Sequence, residues 1–189
     1  MSTSGQKFIF KIIVSGDSGV GKTSLMKKFT QGSFDKKYNV NTIGAQFSEY
    51  EKDIENDSVR LAFWNIAGSD DFIYLYPSFY KNTHAAIIVY SLEDNELGYE
   101  SFNHIETWYN NIVKYCGQIS IFLFANKVDL IDESKLDEVK LKEMVKRYDF
   151  VNYYKTSSLK GESVIEAFDT IIGILYNKYK KNQLLEEIK

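Results

Sequence analysis

One octapeptide, Gly16-Asp17-Ser18-Gly19-Val20-Gly21-Lys22-Thr23, constrains this chain more than any other stretch. It fits the spacing G-x-x-x-x-G-K-[ST] and lies between a strand-like apolar run, Phe8–Ser15, and a short helical segment, Lys22–Thr30. A strand that passes through a glycine loop into a helix belongs to an α/β fold with a mostly parallel sheet. Glycines let the backbone close around phosphate oxygens, so that amides from Ser18 to Thr23 point inward. The helix that follows adds the positive end of its dipole. Lys22 then brings a point charge to the β/γ oxygens, and the Thr23 hydroxyl brings a ligand for Mg2+. A glycine turn that merely caps a helix is the plainer reading of the same residues.

The rest of the chain has room for such a fold. Its 189 residues, 44% hydrophobic and 26% charged, suit one domain over 1–189 with a core of about 8–180. A formal net charge of −3 argues against broad binding to nucleic acid or to an anionic membrane. A single cysteine, Cys116, forms no internal disulfide and points to a reducing, cytoplasmic setting. No apolar run reaches membrane-spanning length, and the first residues lack the marks of a signal peptide. The terminal "KKNQLLEEIK" carries no cysteine for prenylation.

Periodicity places further elements. Gln46–Asp53 and Val59–Asn65 read as an antiparallel hairpin around "IENDS". Ala85–Ser91 and Ile119–Ala125 read as buried strands, and Asn152–Thr156 as a short one. Helices are expected over Ser101–Lys114, Leu136–Arg147 and from about Ser163 towards Lys180. Phe102, Ile105, Trp108 and Ile112 form a helical stripe whose simplest role is core packing. The lone proline, Pro77, biases Tyr76 away from helical angles, so 66–83 is not expected to be one helix. His84 and His104 have no partners at metal-ligand spacing; packing at a strand start and on a helix flank explains them.

"FANKVDL" supplies Asn126, Lys127 and Asp129 directly after a buried strand. The Asp129 carboxylate only accepts hydrogen bonds, which suits guanine with its N1–H and 2-amino donors. Adenine would leave that carboxylate unpaired. Asn126 serves to bond the base edge or tie loops together, and the Lys127 stem to lie over the ring. This favours GTP over the ATP of other phosphate-loop enzymes.

With these residues in place the sequence resembles a Ras-superfamily small GTPase, and most of all the Rab branch. The likeness runs from about Phe8 to Lys180 through "GDSGVGKTS", "TIGAQF", "LAFWNIAGSD", "FYKNT", "IIVYSLED", "SFNHIETWYNNI" and "NKVDL". It implies a three-layer fold, a six-stranded mostly parallel sheet with about five helices. It implies cycling between GTP and GDP in vesicle trafficking, with Mg2+ held by Thr23 and Thr42. Ser18, Gly19, Val20, Gly21, Lys22, Thr23 and Ser24 would hold the phosphates, Phe34 would stack on guanine and Tyr38 would cover the phosphates. Thr42 and Gly68 would sense the γ-phosphate, and Ser157, Ser158 and Leu159 would complete the base site. Exchange factors, activating proteins and effectors would read a monomer through Tyr38–Phe47 and Gly68–Thr83, with Phe47, Trp64 and Phe79 as an effector trio. No nucleic acid partner is implied; peripheral association with endomembranes is.

The chain departs from the family after its third strand. The family reads Asp-x-x-Gly-Gln-Glu where this chain reads Asn65-Ile66-Ala67-Gly68-Ser69-Asp70. Asn65 loses a charge that holds Mg2+. Ser69 replaces the glutamine that orients the attacking water, which slows unaided hydrolysis by about 10²-fold. Activating proteins of the Rab type supply a glutamine and an arginine in trans, so assisted hydrolysis stays open. A nucleotide-loaded module without hydrolysis is the alternative. In the third base loop Leu159 takes the place of the family's lysine, with the Ser158 amide still able to meet the guanine oxygen. "SLEDNELGYESF" is about four residues longer than usual, and its acidic Glu93, Asp94, Glu96 and Glu100 read as a solvated loop or a partner surface.

Overall fold

The computed structural model describes residues 5–30, 40–42, 44–67, 74–161 and 163–187. Strand β1 (Lys7–Ser15) lies mid-sheet because its run of β-branched and aromatic residues can bury both faces. It pairs in parallel with β4 (Asp57–Ile66) on one side and β5 (Ala85–Ser91) on the other. The sheet continues through β6 (Ser120–Asn126) to β7 (Asn152–Thr156), all parallel. On the other side β3 (Ala45–Ile54) runs antiparallel to β4, and a three-residue strand β2 (Val40–Thr42) borders β3. The order is therefore β2-β3-β4-β1-β5-β6-β7, the six expected strands plus one short edge.

Alternation along β1 feeds two cores, since successive side chains point to opposite faces. Phe10, Ile12 and Val14 pack with helix α1 (Lys22–Thr30) and with Phe168, Ile171 and Leu175 of α6 (Val164–Glu187). Ile13 packs on the other face with α2 (Tyr76–Tyr80), α4 (Ile105–Cys116) and α5 (Glu138–Arg147). Two helical layers thus sandwich the sheet, and the C-terminal ends of β1, β5 and β6 come together along one edge. Ligands bind at that edge in open α/β sheets.

Four local expectations are revised. The hairpin turn is only Glu55 and Asn56, with Ile54 paired to Asp57 and Glu55 left-handed at φ 56°. Tyr76 is helical despite Pro77, which stands in the first turn, where its missing N–H costs nothing. The segment is still not one helix, because β4 runs to Ile66. The long acidic stretch is a loop only over 92–95. It then folds as α3 (Glu96–Asn103), started by the Asn95 side chain, which accepts from the Gly98 amide at 3.0 Å. The helix expected over Ser101–Lys114 is accordingly broken at His104, which joins α3 to α4.

Candidate functional site

Three left-handed glycines shape the loop after β1: Gly16 (φ 141°), Gly19 (φ 83°) and Gly21 (φ 100°). A methyl group on Gly16 would lie 2.1 Å from the Val89 carbonyl oxygen, so the loop is packed against the end of β5. The loop curls around Lys22, whose ammonium donates to the carbonyls of Gly16 (2.6 Å) and Asp17 (2.7 Å). Burial lowers the Lys22 pKa from its ordinary 10.5 to about 8, with the Asp17 charge opposing the fall. Lys22 opens α1, where backbone amides and the helix dipole favour an anion.

Asp17 is held from outside the loop. The Trp108 indole donates to its Oδ1 at 2.7 Å, and its Oδ2 lies 2.7 Å from Nδ1 of His104. Both contacts escape a sequence reading. Trp108 does lie on the core stripe, but its N–H reaches the phosphate loop. His104 sits at a helix junction instead of a plain helix flank. His84 does pack at the start of β5, accepting from the Lys11 amide at 3.0 Å beside Phe10 and Tyr179.

The second loop follows β6. Asn126 is fully buried and acts as a tie. Its Nδ2 donates to the Val20 carbonyl at 2.8 Å, while its Oδ1 accepts from the Thr156 hydroxyl (3.2 Å) and the Ser158 amide (3.3 Å). One amide therefore joins the phosphate loop to both base loops. The Ser158 amide, expected to face guanine, is turned to Asn126. Lys127 is left-handed at φ 67° and leads into a short turn, Val128–Leu130, that carries the half-exposed Asp129. The Lys127 ammonium pairs with Glu93. Ser157 is buried and its Oγ accepts from the Lys160 amide at 3.0 Å, whereas Leu159 is 77% exposed.

Towards β3, Asn65 Nδ2 donates to the Thr23 hydroxyl at 2.8 Å. Asn65 is 8% exposed, and among the described residues its Oδ1 is the one buried side-chain polar atom without a partner. Phe47, Trp64 and Phe79 form a contiguous aromatic cluster, with ring centroids 5.5 and 5.9 Å apart; Phe79 is buried and the other two are half-exposed. Phe34, Tyr38, Gly68, Ser69, Asp70 and Asp71 lie outside the described residues, as does the side chain of Thr42.

A strand, a glycine loop around a buried lysine and a tied second loop at one sheet edge define a phosphate-loop nucleotide-binding domain. The model of the Ras family matches residues 11–177. Rab-1 of Theileria annulata is 36% identical over 90% of this chain and 76% of its own length. The GTP-binding protein ypt1 of Schizosaccharomyces pombe is 30% identical over 87% of this chain and 78% of its own. Human Rab-30 is 29% identical over all of this chain and 90% of its own. The chain belongs to the Ras family and is a Rab-like small GTPase, a GTP-binding switch of vesicle trafficking. Proteins of this kind bind GTP and GDP and work with exchange factors, activating proteins and effectors. Among the described residues, no helix is long and apolar enough to cross a membrane.

Proposed function

We propose that this chain holds guanine nucleotide along the line from Gly16 to Ser158 and hydrolyses GTP slowly when unaided. The Asn126 tie carries this reading, because it fixes the distance between a phosphate cradle and a base pocket. Lys22 and the amides of Ser18 to Ser24 receive the phosphates; Asp129 and Lys127 receive the base, with Phe34 on its face and Tyr38 over the phosphates. Gly68 and Thr42 sense the γ-phosphate. Ser69, on its short stem, leaves the attacking water poorly oriented. Ser157 and Ser158 act on the base through loop shape, since their polar groups are engaged internally.

Mg2+ fits this site. Thr23 Oγ1 is a hard oxygen donor, and the orphaned Asn65 Oδ1 beside it is an oxygen that the ion's water shell would satisfy. Thr23 and Thr42 would hold the ion, which supplies positive charge to the β/γ oxygens when bound. Asn65 carries no charge, so the grip is weaker than an aspartate gives. The gross Coulomb loss is several kcal/mol at an effective dielectric of about 20, partly returned by easier desolvation.

Tyr38–Phe47 and Gly68–Thr83 are the surfaces we assign to exchange factors, activating proteins and effectors. The Phe47–Trp64–Phe79 cluster offers aromatic anchors of the kind partners use. The protein acts as a monomer from the cytoplasm, visiting endomembranes peripherally.

Chromatography of the nucleotide released on denaturation tests the base assignment. GDP or GTP is expected, and ATP or ADP as the dominant species overturns it. Acidity gives a second test. Lys22 titrates near pH 8 when the site is free, and a bound phosphate raises that value, so binding takes up a proton. Affinity therefore falls as pH rises through 8. GDP should bind about tenfold more weakly at pH 9 than at pH 7. Lys22→Arg, which does not titrate in this range, should flatten that part of the profile in equilibrium binding.

A further inference from the structure

We propose that Glu93 is a positioning residue of the guanine site, acting through Lys127. The proposal rests on the guanine reading above and adds a residue from the turn that follows β5.

Glu93 does not face solvent like a partner-surface acid. Its carboxylate pairs with the Lys127 ammonium, and both side chains are 21% exposed. The same oxygen, Oε2, accepts from the Ser91 hydroxyl at 2.9 Å, and the Glu93 amide donates to that hydroxyl at 3.3 Å. Ser91 is 1% exposed, so the anchor beneath the carboxylate cannot swing away. The Lys127 ammonium, above all, holds the Glu93 carboxyl below its ordinary range, and Ser91 assists.

The two partners also share a frame. Ser91 and Asn126 are paired across β5 and β6, and the Leu92 amide donates to the Asn126 carbonyl at 2.9 Å. At its other end, Lys127 is fixed by its left-handed backbone and by its carbonyl, which accepts from the Leu130 amide at 3.0 Å. A lysine pinned at both backbone and ammonium has its four-carbon stem held between two fixed ends. A free lysine would lose rotamer freedom when a base settled against it; this one has lost it beforehand. Glu93 also neutralises the ammonium locally, so the stem meets the ring as an apolar surface.

The experiment uses the full chain with Glu93→Gln, Glu93→Ala and Lys127→Met, alone and combined. GDP release is followed by exchange of a fluorescent GDP, and inorganic pyrophosphate serves as a probe without a base. Glu93→Ala should release GDP about tenfold faster, and Glu93→Gln somewhat less, because a neutral amide still accepts a hydrogen bond. Pyrophosphate affinity should stay within about twofold, and neither Glu93 change should add to Lys127→Met. Equal losses for GDP and pyrophosphate, or a full Glu93 effect on top of Lys127→Met, would overturn the proposal. So would unchanged GDP release in a protein that still prefers GDP to ADP. A wild type with no such preference would instead overturn the guanine reading underneath.

Discussion

Gly21→Ala is expected to weaken GDP binding by a factor of about a hundred or more. The added methyl would stand 2.3 Å from Asn126 Nδ2, well inside contact distance. Asn126 has nowhere to go, because its amide is fully buried and bonded to Val20 at one end and to Thr156 and Ser158 at the other. The backbone at φ 100° adds strain that any side chain would feel. Strain of about 1–3 kcal/mol and lost buried hydrogen bonds of about 1–3 kcal/mol set the scale. Each 1.4 kcal/mol is tenfold in affinity. Gly117→Ala is the control: its φ is also positive, at 68°, but no atom lies within 4 Å of the added methyl. It should bind GDP normally in the same titration. Near-normal binding by Gly21→Ala would mean that the Asn126 tie does not govern the site.

Restoring the two departed positions should speed unaided hydrolysis by about 10²-fold. Ser69→Gln returns a side chain long enough to orient water and carries most of the gain. Asn65→Asp acts on the metal. In the present site Asn65 donates to Thr23 at 2.8 Å, spending a lone pair of the very hydroxyl that we propose as the ligand. A carboxylate there accepts instead, and brings a full negative charge. Less Mg2+ should then be needed to retain nucleotide. Single-turnover hydrolysis of preloaded GTP, over a range of Mg2+, separates the two effects. A wild type as fast as the double variant would sink this account of both positions.

What could be read beforehand was whatever rests on short-range rules. The phosphate loop is legible because glycines, lysine and threonine must fall at fixed offsets between a strand and a helix. The buried strands β5 and β6 are legible as unbroken apolar runs. The sandwich follows from these and from the helical stripes. What escaped depends on long-range approach. Nothing local ties Trp108 or His104 to Asp17, about ninety residues away, or Lys127 to Glu93. Helix α3 escaped for another reason: its apolar positions are few, and its start depends on one asparagine cap. The tie at Asn126 was half legible, since the residue type permitted either the base edge or the loops, and only packing decides.

The indole of Trp108 that clamps Asp17 has an optical consequence. The chain has just two tryptophans. Trp108 bonds directly to the phosphate loop, whereas Trp64 packs between Phe47 and Phe79, beside the surface we assign to effectors. Each emits from a different end of the switch. The protein thus carries an unlabelled pair of native fluorophores, and replacing either by phenylalanine leaves a single-tryptophan reporter for nucleotide loading or for partner engagement.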